Sequence, residues 1–472
     1  MKEGGPLSSD ASAHETIPTI GPLIRDSEFY RSILRIGVPV VLQSLVTIAV
    51  NMTDTMMLGP YGEIQLSASS LSGEFVSLFM ILCFGIGGGA GVLTAQYWGA
   101  KDIKSLKEVV TIMLRLMFMV SAVFLLATAF IPDRIIAIYS PDNPDIIEKG
   151  VLYLQVTAAS FPLMGLSLTL TTVLRSVRQV RIPLFATISI FFANIFGNWV
   201  LIYGNLGFPE LQIQGAAIST LICRIIEASI IGGYFLLADT DVGYRIKELF
   251  GKVSSARIQL YLKYSVPVIV SDFFLAFGNS SLAMIMGRIG PSFVAANAII
   301  ANVVRLSTVF NQGVSSSSSI ITGNSLGAGH IERAYRQGVT FQFISFAMGL
   351  VASGIILVAC PIMISFFNLT DETLAIAEQL SRAVAIMVFF SAAESMMTKG
   401  VLRAGGDTRF LMIADALFLW VAAIPLGYMA ALVWNLSAFW VYIALRIDWV
   451  FKSIWCTFRL YSRKWMQRVS DV

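Results

Sequence analysis

The residues of this chain best suited to chemistry are a carboxylate, two amides and a hydroxyl inside long apolar stretches. They are Asp54, Asn194, Asn198 and Thr220. Oxygen atoms of these groups are the ligands that hard cations such as Na⁺ prefer. An aspartate in such company can instead hold a proton, and a third possibility is a hydrogen-bonded cluster that only supports the fold.

All four residues lie at a similar depth if the apolar stretches are helices. Asp54 lies five residues before the glycine that ends the first stretch, and Asn198 lies six before the glycine that ends the fifth. Thr220 lies six residues after the polar residue at which the sixth begins. Since a helix rises 1.5 Å per residue, these positions lie roughly 7–9 Å inside the same end. Asn194 lies one turn from Asn198 and faces the same side. If the ion is Na⁺, we expect Asp54, Asn198 and Thr220 to bind it.

Two further carboxylates, Asp272 and Glu394, lie deeper in the second half of the chain. Each is nine residues from a basic residue that marks the opposite end, which places both about 13 Å from that end. They could face one cavity, where a desolvated carboxylate can carry protons or contact a cationic substrate. Among the other charged residues within or near the apolar stretches, Arg224 with Glu227 and Arg446 with Asp448 are expected to form ion pairs, within one lobe or between the lobes, or to extend towards the membrane surface.

Helices in a lipid bilayer must position these side chains. Hydrophobic residues form 56% of the chain, charged residues 13%, and the mean hydropathy is +0.75, outside the range of soluble domains. A bilayer core is about 30 Å thick, which a helix of about 20 residues crosses. About twelve apolar stretches reach that length, at 32–58, 67–97, 108–131, 148–175, 183–204, 212–238, 259–287, 292–325, 336–367, 376–402, 410–434 and 436–459.

The chain is an internal duplication. A shift of 228 residues places Pro39 on Pro267 and Gly99-Ala100 on Gly327-Ala328 without a gap. An even number of helices in each copy keeps both copies in the same orientation. We therefore predict an all-α polytopic membrane protein with two six-helix lobes in a parallel repeat. The expected divisions are a cytosolic tail 1–30, an N-lobe 31–238, a cytosolic linker 239–258, a C-lobe 259–460 and a cytosolic tail 461–472.

The candidate residues lie where the two copies differ. Asp54 corresponds to Leu282, and Glu394 corresponds to Leu166. The shared scaffold does not need these carboxylates, because the other copy lacks them. A carboxylate in the hydrocarbon region is costly unless it is paired, hydrated or protonated, which favours a functional role. We therefore expect the two lobes to differ in function.

Small residues cluster in the second apolar stretch of each copy. Five glycines between Gly85 and Gly91 occupy the places of Gly313 and of a serine run in the other copy. Small residues allow membrane helices to approach closely. This cluster predicts close helix packing, or alternatively a helix that bends or slides.

Basic residues and cysteines limit the classes of partner. Lysines and arginines concentrate in alternate connecting segments and in the tail, which predicts a multi-pass protein of the cell membrane with both termini in the cytoplasm. The net charge of +4 reflects this bias, so no nucleic-acid partner is expected. The four cysteines lie on different apolar stretches and the two histidines in polar segments. This spacing fits neither a disulfide framework nor a metal motif, and we expect no cofactor.

Six stretches of the sequence form a set that is specific when taken together. They are Pro39-Val40 to Asp54-Thr55, Gln96-Tyr97-Trp98-Gly99-Ala100, Asn194-Ile195-Phe196-Gly197-Asn198, Gly215-Ala216-Ala217-Ile218-Ser219-Thr220, Gly327-Ala328-Gly329 and Leu402-Arg403-Ala404-Gly405-Gly406-Asp407-Thr408-Arg409. With these stretches the chain resembles the multidrug and toxic compound extrusion (MATE) family over residues 30–460. The resemblance implies a V-shaped pair of six-helix bundles that open alternately to either side of the membrane. Similar proteins export organic, often cationic, compounds against an inward flow of H⁺ or Na⁺.

The resemblance also implies roles for the candidate residues. Asp54, Asn194, Asn198 and Thr220 match the cation site in the N-lobe of that family. Asp272 and Glu394 are less similar to the acidic residues that some members use, because Glu394 is displaced in register.

We therefore expect an antiporter, not an enzyme, that exports small cationic molecules by alternating access in exchange for H⁺ or Na⁺ and acts as a monomer. One alternative is a flippase for lipid-linked oligosaccharides, whose cavity would be lined by more cationic residues to bind pyrophosphate. The other is an integral membrane enzyme, for which the sequence offers no helix-borne histidine pair and no nucleophile with its base.

Overall fold

The computed structural model describes residues 23–141, 143–367 and 369–469, and these are helical almost throughout. Of the predicted tails, residues 23–30 and 461–469 are described, whereas residues 1–22 and 470–472 are not. The helices of the first half are α1 Ser27–Leu58, α2 Glu63–Gly99, α3 Ile103–Phe130, α4 Pro132–Tyr139, α5 Pro144–Thr157, α6 Ser160–Ser176, α7 Arg181–Leu201, α8 Gln212–Gly233 and α9 Ile246–Leu249.

Helices of the second half are interrupted more often. Three π-helical segments, Met396–Val401, Leu417–Ala423 and Met429–Val433, lie within it. The α-helices are α10 Ser255–Ile289, α11 Pro291–Gly327, α12 Ile331–Ser365, α13 Asp371–Ser395, α14 Leu402–Ala404, α15 Thr408–Ala416, α16 Ile424–Tyr428, α17 Ala438–Leu445 and α18 Ile447–Tyr461.

Among the described residues, ten helices or continuous helical runs are long and apolar enough to cross a bilayer, and an eleventh is formed by α5 and α6, which meet at 54°. The last predicted stretch is covered by α17 and α18, with Arg446 between them. The predicted all-α polytopic architecture is confirmed, and the fourth and twelfth stretches are broken helices. The first helix begins at Ser27, ahead of the predicted start of the N-lobe at residue 31.

Each half of the chain has its own hydrophobic core. In the first half, α2, α3 and α6 pack around Phe79 and Phe161, both fully buried. In the second half, α10, α12 and α13 pack around Leu282, Ile356 and Leu380. Each core is formed mainly by the apolar faces of helices of its own half, and α10 adds Tyr261 and Tyr264 to the first.

The two halves meet where α2 and α11 end. A Cβ atom added to Gly99 would overlap the backbone oxygen of Asn324, and one added to Gly327 would overlap that of Gln96. Gln96 Nε2 donates to the backbone oxygen of Ala404 at 2.9 Å, and Asn324 Nδ2 donates to that of Ser176 at 3.2 Å. We call this end of the bundle the linker end, since the connecting segment after α8 packs on α3 there through Lys107.

These contacts obey the offset of the duplication. Adding 228 to Gly99, Gln96 and Ser176 gives Gly327, Asn324 and Ala404, so each contact occurs twice with the halves exchanged. Two more pairs of equivalent contacts lie further along the helices. The contact of Gly85 with Ile269 is equivalent to that of Gly313 with Val41. The contact of Gly89 with Ser265 is equivalent to that of Ser317 with Gly37. The halves are therefore related by a pseudo-two-fold axis, and their small residues serve close packing.

The segment that follows α18 closes the linker end further. Trp465 is fully buried and packs against Gly405 and Gly338. Gln96 Nε2 donates to the backbone oxygen of Gln467 at 3.1 Å, and the backbone N–H of Val469 donates to Gln96 Oε1 at 2.9 Å. One glutamine of the first half thus holds the last described residues of the second half.

Replacing Gly327 by alanine should open the linker end. The added methyl group has no space while α2 and α11 are in contact, and overpacking of this kind costs about 1–3 kcal/mol. Spin labels on Lys104 and Ile331, both exposed at the linker end, should then gain a longer distance by pulsed electron paramagnetic resonance. The native cysteines are buried, so introduced cysteines at these positions take the labels.

Gly354→Ala is the matched control, because a Cβ atom there would meet nothing within 4 Å. An unchanged distance distribution in Gly327→Ala would show that the glycine crossing does not limit the separation of the halves.

Candidate cation site and a buried charge cluster

The predicted site in the first half is assembled by α1 and α7. Asp54 lies near the end of α1, and its Oδ1 accepts hydrogen bonds from Asn194 Nδ2 at 3.0 Å and Asn198 Nδ2 at 2.6 Å. The two asparagines are one turn apart and share a face of α7. Both are buried, whereas Asp54 is half-buried. The structure therefore brings together three of the four predicted residues.

Gly197 explains how α7 and α8 come close enough to form this site. A Cβ atom on Gly197 would lie 2.6 Å from Ser219 Oγ, so a larger residue would push α8 away. Ser219 Oγ donates to the backbone oxygen of Asn194 at 3.4 Å. The turn that carries both asparagines is thus held against α8.

Thr220 belongs to a second layer around the carboxylate. It lies beside the hydroxyl of Tyr153 on α5, which also contacts Ser69 on α2 and is within electrostatic range of Asp54. Tyr153 packs against Leu58 in a small apolar cluster next to the site. Sequence reasoning missed Tyr153, because a tyrosine in an apolar stretch carries no charge and breaks no pattern.

A cation lies near the carboxylate as well. Arg224 Nη1 pairs with Glu227 Oε2 at 2.7 Å, which confirms the predicted local ion pair. The same guanidinium is within electrostatic range of Asp54. Asn198 Oδ1, in contrast, is buried and has no hydrogen-bond partner among the described residues. An acceptor without a donor, next to a carboxylate, suits a cation or a protonated group.

The two carboxylates predicted in the second half have different partners. Asp272 Oδ1 lies 3.8 Å from Arg403 Nη2, while Glu394 Oε1 lies 3.5 Å from Lys452 Nζ. Side-chain exposure is 20% for Asp272 and 10% for Glu394. Each of the two carboxylates is therefore paired with its own basic residue, and Glu394 is the more buried of the two.

Lys452 lies at the centre of the larger group and was missed by sequence reasoning. Its Nζ lies 3.3 Å from Asp415 Oδ1 and 3.1 Å from Asp448 Oδ2, in addition to Glu394. The predicted pair of Arg446 with Asp448 is wrong, since Arg446 Nη1 donates to Asn279 Oδ1 at 2.8 Å. The signal was available, because an aspartate and a lysine four residues apart share one face of a helix.

The comparison with protein families decides the identity of the chain. The MatE family model matches residues 39–200 and again 267–429, which together are more than half of the chain. The chain belongs to the MatE family. The two matches begin 228 residues apart, the offset of the duplication. The predicted resemblance is confirmed.

Relatives of this MatE protein cover nearly its whole length. A protein from Thermotoga maritima named "Probable multidrug resistance protein NorM" is 25% identical over 93% of this chain and 94% of its own. A protein from Bacillus subtilis named "Uncharacterized transporter YisQ" is 22% identical over 88% and 90%. The chain is therefore a multi-pass membrane transporter and not an enzyme.

Solved structures show the same fold. One described as the outward-facing conformation of a multidrug resistance MATE family transporter superimposes with a TM-score of 0.83 at 18% identity. It covers 92% of this chain and 97% of its own. A MOP superfamily transporter from Pyrococcus furiosus superimposes with a TM-score of 0.82 over the same shares.

A double-mutant cycle should measure the contact between Asp54 and Asn198. Hydrogen bonds to charged groups contribute about 1.5–3 kcal/mol, so Asp54→Asn and Asn198→Ala should be non-additive by that order in the free energy of unfolding. Unfolding of the purified protein in detergent, by denaturant or heat, gives the measurement.

Asn302→Ala serves as the reference, since Asn302 is exposed and donates to the backbone of its own helix. Its effect should add to that of Asp54→Asn. Full additivity for Asn198→Ala as well would contradict the hydrogen bond.

Proposed function

We propose that this protein is a cation-coupled antiporter that exports small organic, cationic molecules by alternating access. The observation that carries this proposal is the Asp54 site. A carboxylate in a membrane helix is held by two amide donors, in one half of a duplicated scaffold whose other half has Leu282 there. Ionisable groups inside a membrane protein are functional candidates, since lipid makes them costly.

The groups of the site suit both coupling ions of the proposal. A proton would bind the Asp54 carboxylate directly. Na⁺ would bind the carboxylate together with the unpartnered Asn198 Oδ1, with Thr220 and the hydroxyl of Tyr153 as the nearby oxygen atoms. Oxygen ligands of this kind are the ones that hard cations prefer. Arg224 lies near Asp54 but is already paired with Glu227. Either ion would balance the negative charge of Asp54.

Coupling requires the ion to bind one conformation better than another. The site is built from α1, α7 and neighbouring helices of one half, while closure of the linker end depends on α2 and α11. Since α1 itself packs on α11 through Gly37 and Ser317, a change at Asp54 acts on a helix that crosses the interface. Occupancy of the site would shift the equilibrium between the closed and open linker end.

The class of substrate rests on charge and on the names of relatives. Curated relatives are named multidrug resistance proteins. Asp54 and Asp272 are half-buried carboxylates that a cationic substrate could approach, and exposed aromatic or methionine side chains such as Met56 and Phe273 could stack on it. Glu394 is buried against Lys452 in this conformation, so it would not contact substrate here.

The cellular arrangement follows from the charge bias. Basic side chains gather at the linker end, among them Lys101, Lys104, Arg178, Arg257 and Arg333. Positive charge favours the cytoplasmic side, so we place the linker end and both termini in the cytoplasm of a cell whose plasma membrane holds the protein as a monomer. The closed linker end then corresponds to an outward-facing state.

Efflux of a fluorescent cationic dye from proteoliposomes tests the proposal, with a pH gradient and a Na⁺ gradient imposed separately. Wild type should export the dye under one of them. Asp54→Asn should reduce gradient-driven export to the level of protein-free vesicles, because the neutral amide can neither exchange a proton nor offer a charge to Na⁺.

Glu63→Gln is the matched control, since this exposed carboxylate lies at the same end of the bundle as Asp54. It should retain export. Gradient-driven export that survives in Asp54→Asn would refute the role of this residue. Absence of dye transport under both gradients, with lipid scrambling in the same vesicles, would favour a flippase.

A further inference from the structure

The second half of the chain contains a charge imbalance in its interior. Three carboxylates, Glu394, Asp415 and Asp448, lie within 3.5 Å of the ammonium group of Lys452. The side chains of Asp415 and Asp448 are each 3% exposed, that of Lys452 is 2% exposed, and that of Glu394 is 10% exposed. We call these four residues the Lys452 cluster. With every group ionised its net charge would be −2, at a depth where uncompensated charge is strongly unfavourable.

Surrounding charges are engaged elsewhere. From α10, Asp272 pairs with Arg403 of α14. Before α15, Asp407 pairs with Arg459 of α18 at 2.5 Å, and Arg446 pairs with Asn279 and stacks on Trp449. Lys399 on the π-helical segment is exposed, and the charged residues of α12 lie in its first two turns. The remaining titratable neighbours are Tyr442 of α17 and Cys456 of α18.

The three carboxylates are not equivalent. Asp415 Oδ2 accepts a hydrogen bond from Ser271 Oγ, and Glu394 Oε1 accepts one from Thr398 Oγ1 at 3.1 Å. Each is therefore stabilised as an anion by a hydroxyl donor in addition to Lys452. Asp448 contacts Lys452 through Oδ2, but its Oδ1 is buried and has no hydrogen-bond partner among the described residues. Asp448 is therefore the one carboxylate of the three with a buried oxygen atom that no described donor satisfies.

We propose that the Lys452 cluster is a proton-binding site in which Asp448 takes up an exchangeable proton. The proton comes from solvent water and forms an O–H bond on the Asp448 carboxyl group, so the net charge of the cluster changes from −2 to −1. The ammonium group of Lys452 already occupies the position between the carboxylates that a metal ion would need. The ligand that the remaining carboxylate oxygen can take up is therefore a proton. Glu394, whose side chain is the most exposed of the three, is the group through which the proton exchanges with water.

The site is absent from the first half of the chain. Subtracting 228 from Asp415, Asp448 and Lys452 gives Thr187, Thr220 and Arg224. Thr220 and Arg224, the counterparts of Asp448 and Lys452, border the Asp54 site. The sixth stretches of the two halves thus share one basic position, Arg224 and Lys452, whereas Asp448 corresponds to the neutral Thr220. Proton binding by the cluster does not depend on the proposed antiport, whereas its use in coupling rests on that function.

Infrared difference spectroscopy of the purified full-length protein tests the assignment through the C=O stretching band of a protonated carboxyl group. Between acidic and alkaline buffer, wild type should show such a band from a site shielded from water. Asp448→Asn should lose it. Asp54→Asn and the exposed control Glu372→Gln should retain it. A band that is unchanged in Asp448→Asn would overturn the proposal, and the cluster would then be a fully ionised structural network.

Isotope labelling provides a measurement that does not depend on how Asp448→Asn folds. In the Asp54→Asn background, aspartate labelled with ¹³C at the side-chain carboxyl should shift the band to lower frequency, which assigns it to an aspartate. Absence of any shifted band would also overturn the proposal. The infrared measurement involves no transport. Its result therefore does not depend on whether the proteoliposome experiment shows cation-coupled dye export.

Discussion

An ionised side chain in a bilayer must find its compensation inside the protein, and this constraint shapes both halves of the molecule. Water is not available in the hydrocarbon core to hydrate a charge. Asp54 therefore receives two amide donors from a single turn of α7, and Lys452 lies within contact of three carboxylates. The helices around these groups are held close by small residues such as Gly197, since partners must reach across without solvent between them.

Polar groups are arranged unequally on a scaffold that is nearly symmetric. The contacts between the halves repeat under the offset of 228 residues, as with Gly99 and Gly327. The functional candidates do not repeat, since Asp54 corresponds to a leucine. Packing and chemistry are therefore separable in this chain. The symmetric positions determine how the halves meet, and the asymmetric positions hold the candidate binding groups.

Much of the fold was predictable from sequence because lipid imposes a simple code. Long apolar stretches gave the helices to within a few residues, and the offset gave the repeat. The Asp54 site was predictable in its three directly bonded members, since polar residues at equal depth can be counted. Breaks within helices, as between α5 and α6, were not predictable from hydropathy, which averages over a window. Tyr153 and Lys452 were missed because their importance depends on which neighbouring helices face them.

The two halves also differ in where their π-helical segments lie. Glu394 and Asp415 each lie two residues before such a segment, and π-turns are frequent at functional sites. In the first half, the π-helical segment Tyr234–Ala238 lies only at the end of α8. The π-helical turns thus lie next to the buried charges of the second half, and none of those described lies in α1 or α7, which carry the Asp54 site.

The exchanged contacts at the linker end follow the rule of a two-fold homodimer. In an isologous interface the same patch serves both partners, so residue i meets residue j and j meets i. Here Gly99 meets Asn324 while Gly327 meets Gln96, and the two partners are halves of one chain. Each six-helix unit therefore contains both complementary parts of the contact. A single unit of this kind would present a self-complementary surface to a second copy of itself, and the covalent linker keeps that pair at a fixed one-to-one stoichiometry.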